Sequence, residues 1–251
     1  MINFKIFTLF PEMFPGPLAT SITGTALKNN LWSLETINIR NYAKDERGTV
    51  DDIPYGGGAG MVLKPDVVTD AIEANIDHAK DFLAENSEPK NNPAPTKIIY
   101  LSPRGKVLTQ KIARELAQEK EIALLCGRYE GVDQRALDEL QIEEISIGDY
   151  ILSGGEIAAY VLIDAVLRNI KGVVGAEASV DEESFSVDGN EFLLEYPHYT
   201  RPASWRGREI PPTLISGHHK NIKSWRLEKA IELTKVRRDD LYAKFLLGKN
   251  L

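Results

Sequence analysis

The chain has 251 residues, of which 43% are hydrophobic and 27% charged, with a formal net charge of −7. These values are ordinary for a soluble globular protein and allow one large domain or two smaller ones with a real core. No apolar run reaches the ~18 residues of a membrane helix, residues 2–10 meet Pro11 without a signal-peptide cleavage pattern, and one cysteine, Cys126, excludes an internal disulfide. A cytoplasmic protein with no membrane association is expected.

In chain order, β-rich apolar runs are expected at residues 4–9, 32–39, 97–101, 122–126 and 142–147. Between them lie helical patterns. The longest covers residues 65–85, with Val68, Ala71, Ile72, Asn75, Ile76, Ala79 and Leu83 at helical spacing and Pro65 as its first residue. Shorter helices fit 109–118 and 156–169. Strands alternating with helices predict an α/β fold, a parallel sheet covered on both faces. Residues 85–96 are polar and proline-rich, which reads as a surface loop. After Lys171 the pattern breaks. Residues 173–188, rich in acids and serine, read as a linker between a domain of residues 1–172 and a C-terminal one of 189–251, with a helix near 220–233.

Residues 143–156 carry the strongest chemical signal. An apolar segment ends at Ile147, glycines follow at 148, 154 and 155, and an apolar helix is expected to start at Glu156. Glycine lets backbone amides approach a ligand closely. Ser153-x-x-Glu156 has the spacing of a capping box. Strand, glycine loop and helix is the arrangement that holds ligands at the carboxyl ends of strands in α/β proteins. Glycines and a cap alone would equally make a tight structural connection. Ile147, Tyr150, Ile151 and Leu152 are large and apolar, as a pocket for a flat ring requires.

Two further segments are Cys126-Gly-Arg-Tyr-Glu-Gly-Val-Asp133 and Val50-Asp-Asp-Ile-Pro-Tyr-Gly-Gly-Gly-Ala-Gly-Met61, with Pro197-His-Tyr-Thr-Arg-Pro202 later. Together with residues 147–156 they resemble the bacterial tRNA (guanine-N1)-methyltransferases, which act on guanosine 37 beside the anticodon. The resemblance runs from Phe10 to about Arg226. It implies membership of the knotted (SPOUT) methyltransferases, with a deep trefoil knot and a small, mainly helical C-terminal domain. Nothing in composition or periodicity points to a knot, and physical priors disfavour one.

The resemblance implies S-adenosylmethionine as methyl donor, tRNA as substrate and a homodimer whose subunits both grip the tRNA; magnesium is left open. The guanine N1 lone pair becomes available only as its proton leaves, so a carboxylate base is needed. The family's base is an aspartate before a Ser-Phe pair, and the matching position here is Glu183. That longer side chain is a departure, and Asp181 remains the alternative. Arg168 matches the family's essential arginine and lies four residues after Asp164, close enough to pair with it. The donor site is expected around Ile147, Gly148, Asp149, Tyr150, Ile151 and Leu152, with Gly154, Gly155 and the amide of Gly127. Tyr100, Leu101, Ser102 and Pro103 form a further wall, though the first two also suit a core. Glu130 either meets the donor's amino group or closes a loop by a salt bridge.

The loop 56–60 is not a P-loop, since no Gly-Lys-Ser/Thr follows. Ala59 stands where the family usually has proline. Gly57 and Gly58 are expected near the target nucleotide, in a nest of backbone amides. Residues 198–251 carry 12 Lys/Arg against 5 Asp/Glu, whereas residues 1–197 carry 18 against 32. A basic tail on an acidic body fits a grip on phosphates, with Arg201, Lys223 and Arg226 the expected contacts and Arg206, Arg208 and Lys220 further candidates. The histidines show no zinc spacing, so no metal site is expected. Cys126, ending an apolar run, reads as a buried thiol rather than a nucleophile. Two other readings compete with the enzyme. A non-catalytic RNA-binding module rests only on the Glu183 departure. A nucleotide-binding oxidoreductase lacks the Gly-x-Gly-x-x-Gly after the first strand.

Overall fold

The computed structural model describes residues 1–76, 96–174 and 182–248. They belong to two compact units, Met1–Val174 and Gly175–Leu251.

The first unit is built on five strands: β1 (Ile2–Thr8), β2 (Trp32–Asn38), β5 (Lys97–Val107), β6 (Glu121–Leu125) and β7 (Glu143–Ser146). They form one sheet in the order β2-β1-β6-β5-β7, and every pairing is parallel. Alternation along the strands feeds two cores. Phe4, Ile6, Ile122, Leu124, Ile99 and Leu101 face one cluster, and Phe7, Ala123, Leu125, Ile98 and Tyr100 face the other. Helix α5 (Gly155–Leu167) covers the first face, joined by residues of α1 (Ser21–Lys28) and α3 (Gln110–Leu116). Helices α2 (Pro65–Asn75) and α4 (Gln134–Glu139) cover the second. The parallel sheet flanked by helices is as expected.

Local signals place several boundaries. Pro65 opens α2, and the Thr109 hydroxyl caps α3 by accepting from Ile112 N at 3.3 Å. The expected long helix is corrected: α2 ends at Asn75, and Ile76 is extended with φ −127° and ψ 112°. The remainder of that helix, and nearly all of the expected loop at 85–96, lie outside the described residues. The third expected strand continues past Leu101 to Val107. Its register against β7 breaks between Leu101 and Lys106, which both face Ile145, so Ser102 to Gly105 arch out of the ladder. Gly105 permits this, since a Cβ there would lie 2.4 Å from the nitrogen of Ile145. The sequence reading missed α1, α4 and the antiparallel pair β3 (Asp51–Asp52) and β4 (Val62–Leu63).

In the second unit a hairpin joins β8 (Ser204–Trp205) to β9 (Arg208–Glu209). A short helix α6 (Pro212–Ile215) precedes α7 (His219–Arg237) and α8 (Asp239–Gly248). Its core gathers Val187, Leu193, Ala230 and Phe245. The buried Thr234 hydroxyl donates to Ala230 O at 2.7 Å and accepts from Leu194 N at 2.9 Å. Parts of the expected linker are therefore packed, with Val173 buried in the first unit and Val187 in the second; residues 175–181 lie outside the described residues. Among the described residues no helix is long and apolar enough to cross a membrane.

Candidate active site

The middle of β5, where it arches, and the carboxyl ends of β6 and β7 surround a cavity of about 230 Å³. Within β5, Tyr100 and Leu101 and the start of the arch, Ser102 and Pro103, line it. The turn after β6 contributes Gly127, Arg128, Tyr129, Glu130 and Gly131. The loop after β7 contributes Ile147, Gly148, Tyr150, Ile151, Leu152, Ser153, Gly154 and Gly155. Three separate segments thus meet at one sheet end, where α/β proteins hold ligands. Asp149 departs from expectation: it is exposed and absent from the lining. Tyr150 N donates to Gly148 O at 3.0 Å, so Asp149 sits at the apex of a turn facing solvent.

Close backbone approach explains why glycines stand here. Gly155 N donates to Gly127 O at 2.9 Å, and a Cβ on Gly155 would lie 2.7 Å from Cys126 Cα. A Cβ on Gly127 would meet the Tyr100 ring at 2.7 Å. Helix α5 can therefore start directly against the end of β6. Burial pushes the Tyr100 phenol above its ordinary range, the main cause being loss of solvent around it. Burial likewise pushes the Cys126 thiol well up, with the charge of Glu156 adding to it.

The expected capping box does not form. Helix α5 begins at Gly155 after Gly154, with no side-chain cap. Glu156 turns inward instead and is 1% exposed. Its Oε1 accepts from Thr8 Oγ1 at 2.7 Å, and its Oε2 lies 2.8 Å from Arg128 Nη2. Arg128 Nη1 donates to Ser153 O at 3.1 Å, and the guanidinium sits 4.3 Å over the Phe10 ring. Sequence reasoning missed this cluster. Arg128 lies inside a quoted motif, yet nothing in spacing announces a partner 28 positions away.

The loop 56–60 reaches the same rim. Glu130 N donates to Met61 O at 2.9 Å, Leu63 N donates to Gly131 O at 2.9 Å, and the Glu130 side chain lies where a Cβ of Gly60 would be. Gly57 and Gly58 are exposed, with φ of +80° and +125° that side chains rarely adopt. Arg168 follows the last turn of α5, its N–H donating to Asp164 O at 3.1 Å.

The other expected residues belong to the second unit. Glu183 is half-buried, and its carbonyl accepts from Ser186 N at 3.0 Å; Asp181 lies outside the described residues. Arg201 is exposed. Lys223 pairs with Asp188 at 3.1 Å, and Arg226 pairs with Glu182 at 2.8 Å while stacking 4.7 Å over Tyr196. One face of α7 therefore carries both cations, as their spacing predicts. Among the described residues no group of three or more His, Cys, Asp or Glu comes together as a metal site.

A parallel sheet covered on both faces, with glycine-lined loops around a cavity at its strand ends, is the arrangement in which α/β proteins hold small organic ligands. Comparison with known proteins narrows the class. The model of the tRNA (Guanine-1)-methyltransferase TrmD family matches residues 2–244, and the chain belongs to that family. A tRNA (guanine-N(1)-)-methyltransferase of Rhodospirillum rubrum is 54% identical over 244 residues, covering 97% of this chain and 94% of that protein. Those of Cereibacter sphaeroides and Wolbachia pipientis are 51% and 49% identical, over 98% and 95% of this chain and 93% and 94% of their own lengths. The resemblance seen in the motifs is borne out.

Proposed function

We propose that the chain transfers a methyl group from S-adenosylmethionine to N1 of guanosine 37 in tRNA. What carries this reading is the meeting of the three segments around one cavity in a chain of this family. The lining fits the donor: Leu101, Ile147 and Leu152 offer apolar contact to a flat ring, and the main chain at Gly127 and Gly155 is bare. When bound, the donor supplies an electrophilic methyl on a sulfonium. The residues of the chain orient it and the base, which is where much of the rate arises. Glu183, placed before Ser184-Phe185, takes the N1 proton as the N–CH₃ bond forms and the S–CH₃ bond breaks. Arg168 steadies the charge that develops on the guanine.

The same reading assigns the donor site to a domain of residues 1–172, a connecting segment to 173–188 and tRNA binding to a basic domain of 189–251, through Arg201, Lys223 and Arg226, with Gly57 and Gly58 beside the target nucleotide. It includes the trefoil knot, a homodimer in which both subunits hold one tRNA, and a cytoplasmic location. A magnesium ion is left to titration with chelator.

Methyl incorporation into unmodified tRNA transcripts tests the function. Transcripts with guanosine at position 37 should yield 1-methylguanosine on nucleoside analysis, and transcripts with adenosine there should not. Glu183→Gln should lower the single-turnover rate by at least ~10²-fold while tRNA still binds. Absence of 1-methylguanosine with wild-type protein would overturn the proposal; a full-rate Glu183→Gln enzyme would overturn only the assignment of the base.

A further inference from the structure

Glu156 is a buried carboxylate that the reaction does not use. Burying a charge costs several kcal/mol unless it is well compensated, and an apolar residue of similar size would serve the core at least as well. Compensation here is incomplete. Glu156 Oε2 approaches Arg128 Nη2 to 2.8 Å as an ion pair. Both Glu156 Oε2 and Arg128 Nε are left without a hydrogen-bond partner. A half-satisfied buried pair asks for a reason beyond stability.

The surroundings of Arg128 supply that reason. Its guanidinium holds the carbonyl of Ser153, the residue just before the glycine pair, and lies over Phe10 just past the end of β1. Arg128, Tyr129, Leu152 and Ser153 line both the 230 Å³ cavity and a neighbouring cavity of about 330 Å³, which Phe10 lines as well. Arg128 thus forms part of the wall of both cavities. Glu156 fixes where it stands, and Thr8 fixes Glu156: the Thr8 hydroxyl donates to Glu156 Oε1 at 2.7 Å and accepts from Phe10 N at 2.9 Å. Neither Thr8 nor Glu156 lines either cavity.

We propose that Glu156 is a positioning residue for the donor cavity, holding the loop 148–155 in its binding shape through Arg128. The proposal rests on the reading of that cavity as the S-adenosylmethionine site. Two variants test it. Glu156→Gln keeps the size and the acceptor for Thr8 but removes the charge that faces Arg128. Thr8→Val removes the hydroxyl link without touching the cavity.

Calorimetric titration with S-adenosylmethionine should show Glu156→Gln binding about 10- to 100-fold more weakly, by analogy with the loss seen when the outer-shell partner of a metal ligand is removed. Thr8→Val should bind severalfold more weakly, and the double variant little worse than Glu156→Gln, because both act through one network. The KM for the donor should rise while the KM for tRNA stays unchanged, a split that general loss of structure does not produce. A folded Glu156→Gln protein that binds the donor within twofold of wild type overturns the proposal. If Glu156→Gln does not fold, unaltered donor affinity in Thr8→Val overturns it. Wild-type protein that takes up no donor would remove the donor reading itself, a result distinguishable from variants that bind as well as a competent wild type.

Discussion

At the scale of single residues, burial decides what each group can do. Cys126 is fully buried, and its thiol is held well above its ordinary range, first by loss of solvent and then by the charge of Glu156. With so little thiolate, iodoacetamide at mildly alkaline pH should leave the native protein unlabelled and label it promptly in denaturant. Rapid labelling of the folded chain would contradict the packing described here. The reading of Cys126 as a structural thiol was available from its place at the end of an apolar run. Glu156 was not legible in the same way. Its partners Thr8 and Arg128 are 148 and 28 positions away, and only folding brings a threonine, an arginine and a glutamate to one point. Glu183 is the opposite case, since its role comes from resemblance and its local surroundings in the sequence are those of any acid in a polar loop. If it is the base, Glu183→Asp should keep activity within about tenfold and Glu183→Gln should not.

At the scale of elements, the five strands could be read because both faces of the sheet are buried, which leaves near-continuous apolar runs. The arch from Ser102 to Gly105 could not, because a register shift depends on the facing strand. The start of α5 was misplaced by one residue for a related reason. Ser153-x-x-Glu156 satisfies a local capping rule, but the approach of Gly155 to the main chain of Cys126 and Gly127 sets the true boundary, and Arg128 draws the glutamate away. Gly155→Ala should therefore cost about 1–3 kcal/mol, the usual penalty for overfilling a packed site, seen as a lower melting temperature, and should weaken donor binding. Gly57→Ala meets nothing within 4 Å and should cost only the ~1–2 kcal/mol of its positive φ. Equal effects of the two substitutions on donor binding would show that close approach at Gly155 does not shape the cavity.

At the scale of the whole molecule, the chain is acidic overall yet carries 12 Lys/Arg against 5 Asp/Glu in residues 198–251. Composition made that asymmetry visible, though not that Lys223 and Arg226 pair with Asp188 and Glu182. The Lys223 pair is exposed and the Arg226 pair partly so, and such pairs contribute little to stability, which lets the cations exchange carboxylate for phosphate. Affinity for tRNA should fall steeply with salt. Neutralising Lys223 and Arg226 to glutamine should lower the slope of log K against log salt by about one for each phosphate no longer neutralised. An unchanged slope would remove them from the tRNA surface. The most direct measurement, however, concerns the cavity at the strand ends. Titration of purified protein with S-adenosylmethionine, alone and with tRNA present, should give saturable binding that Gly155→Ala weakens; no uptake under either condition would contradict the account.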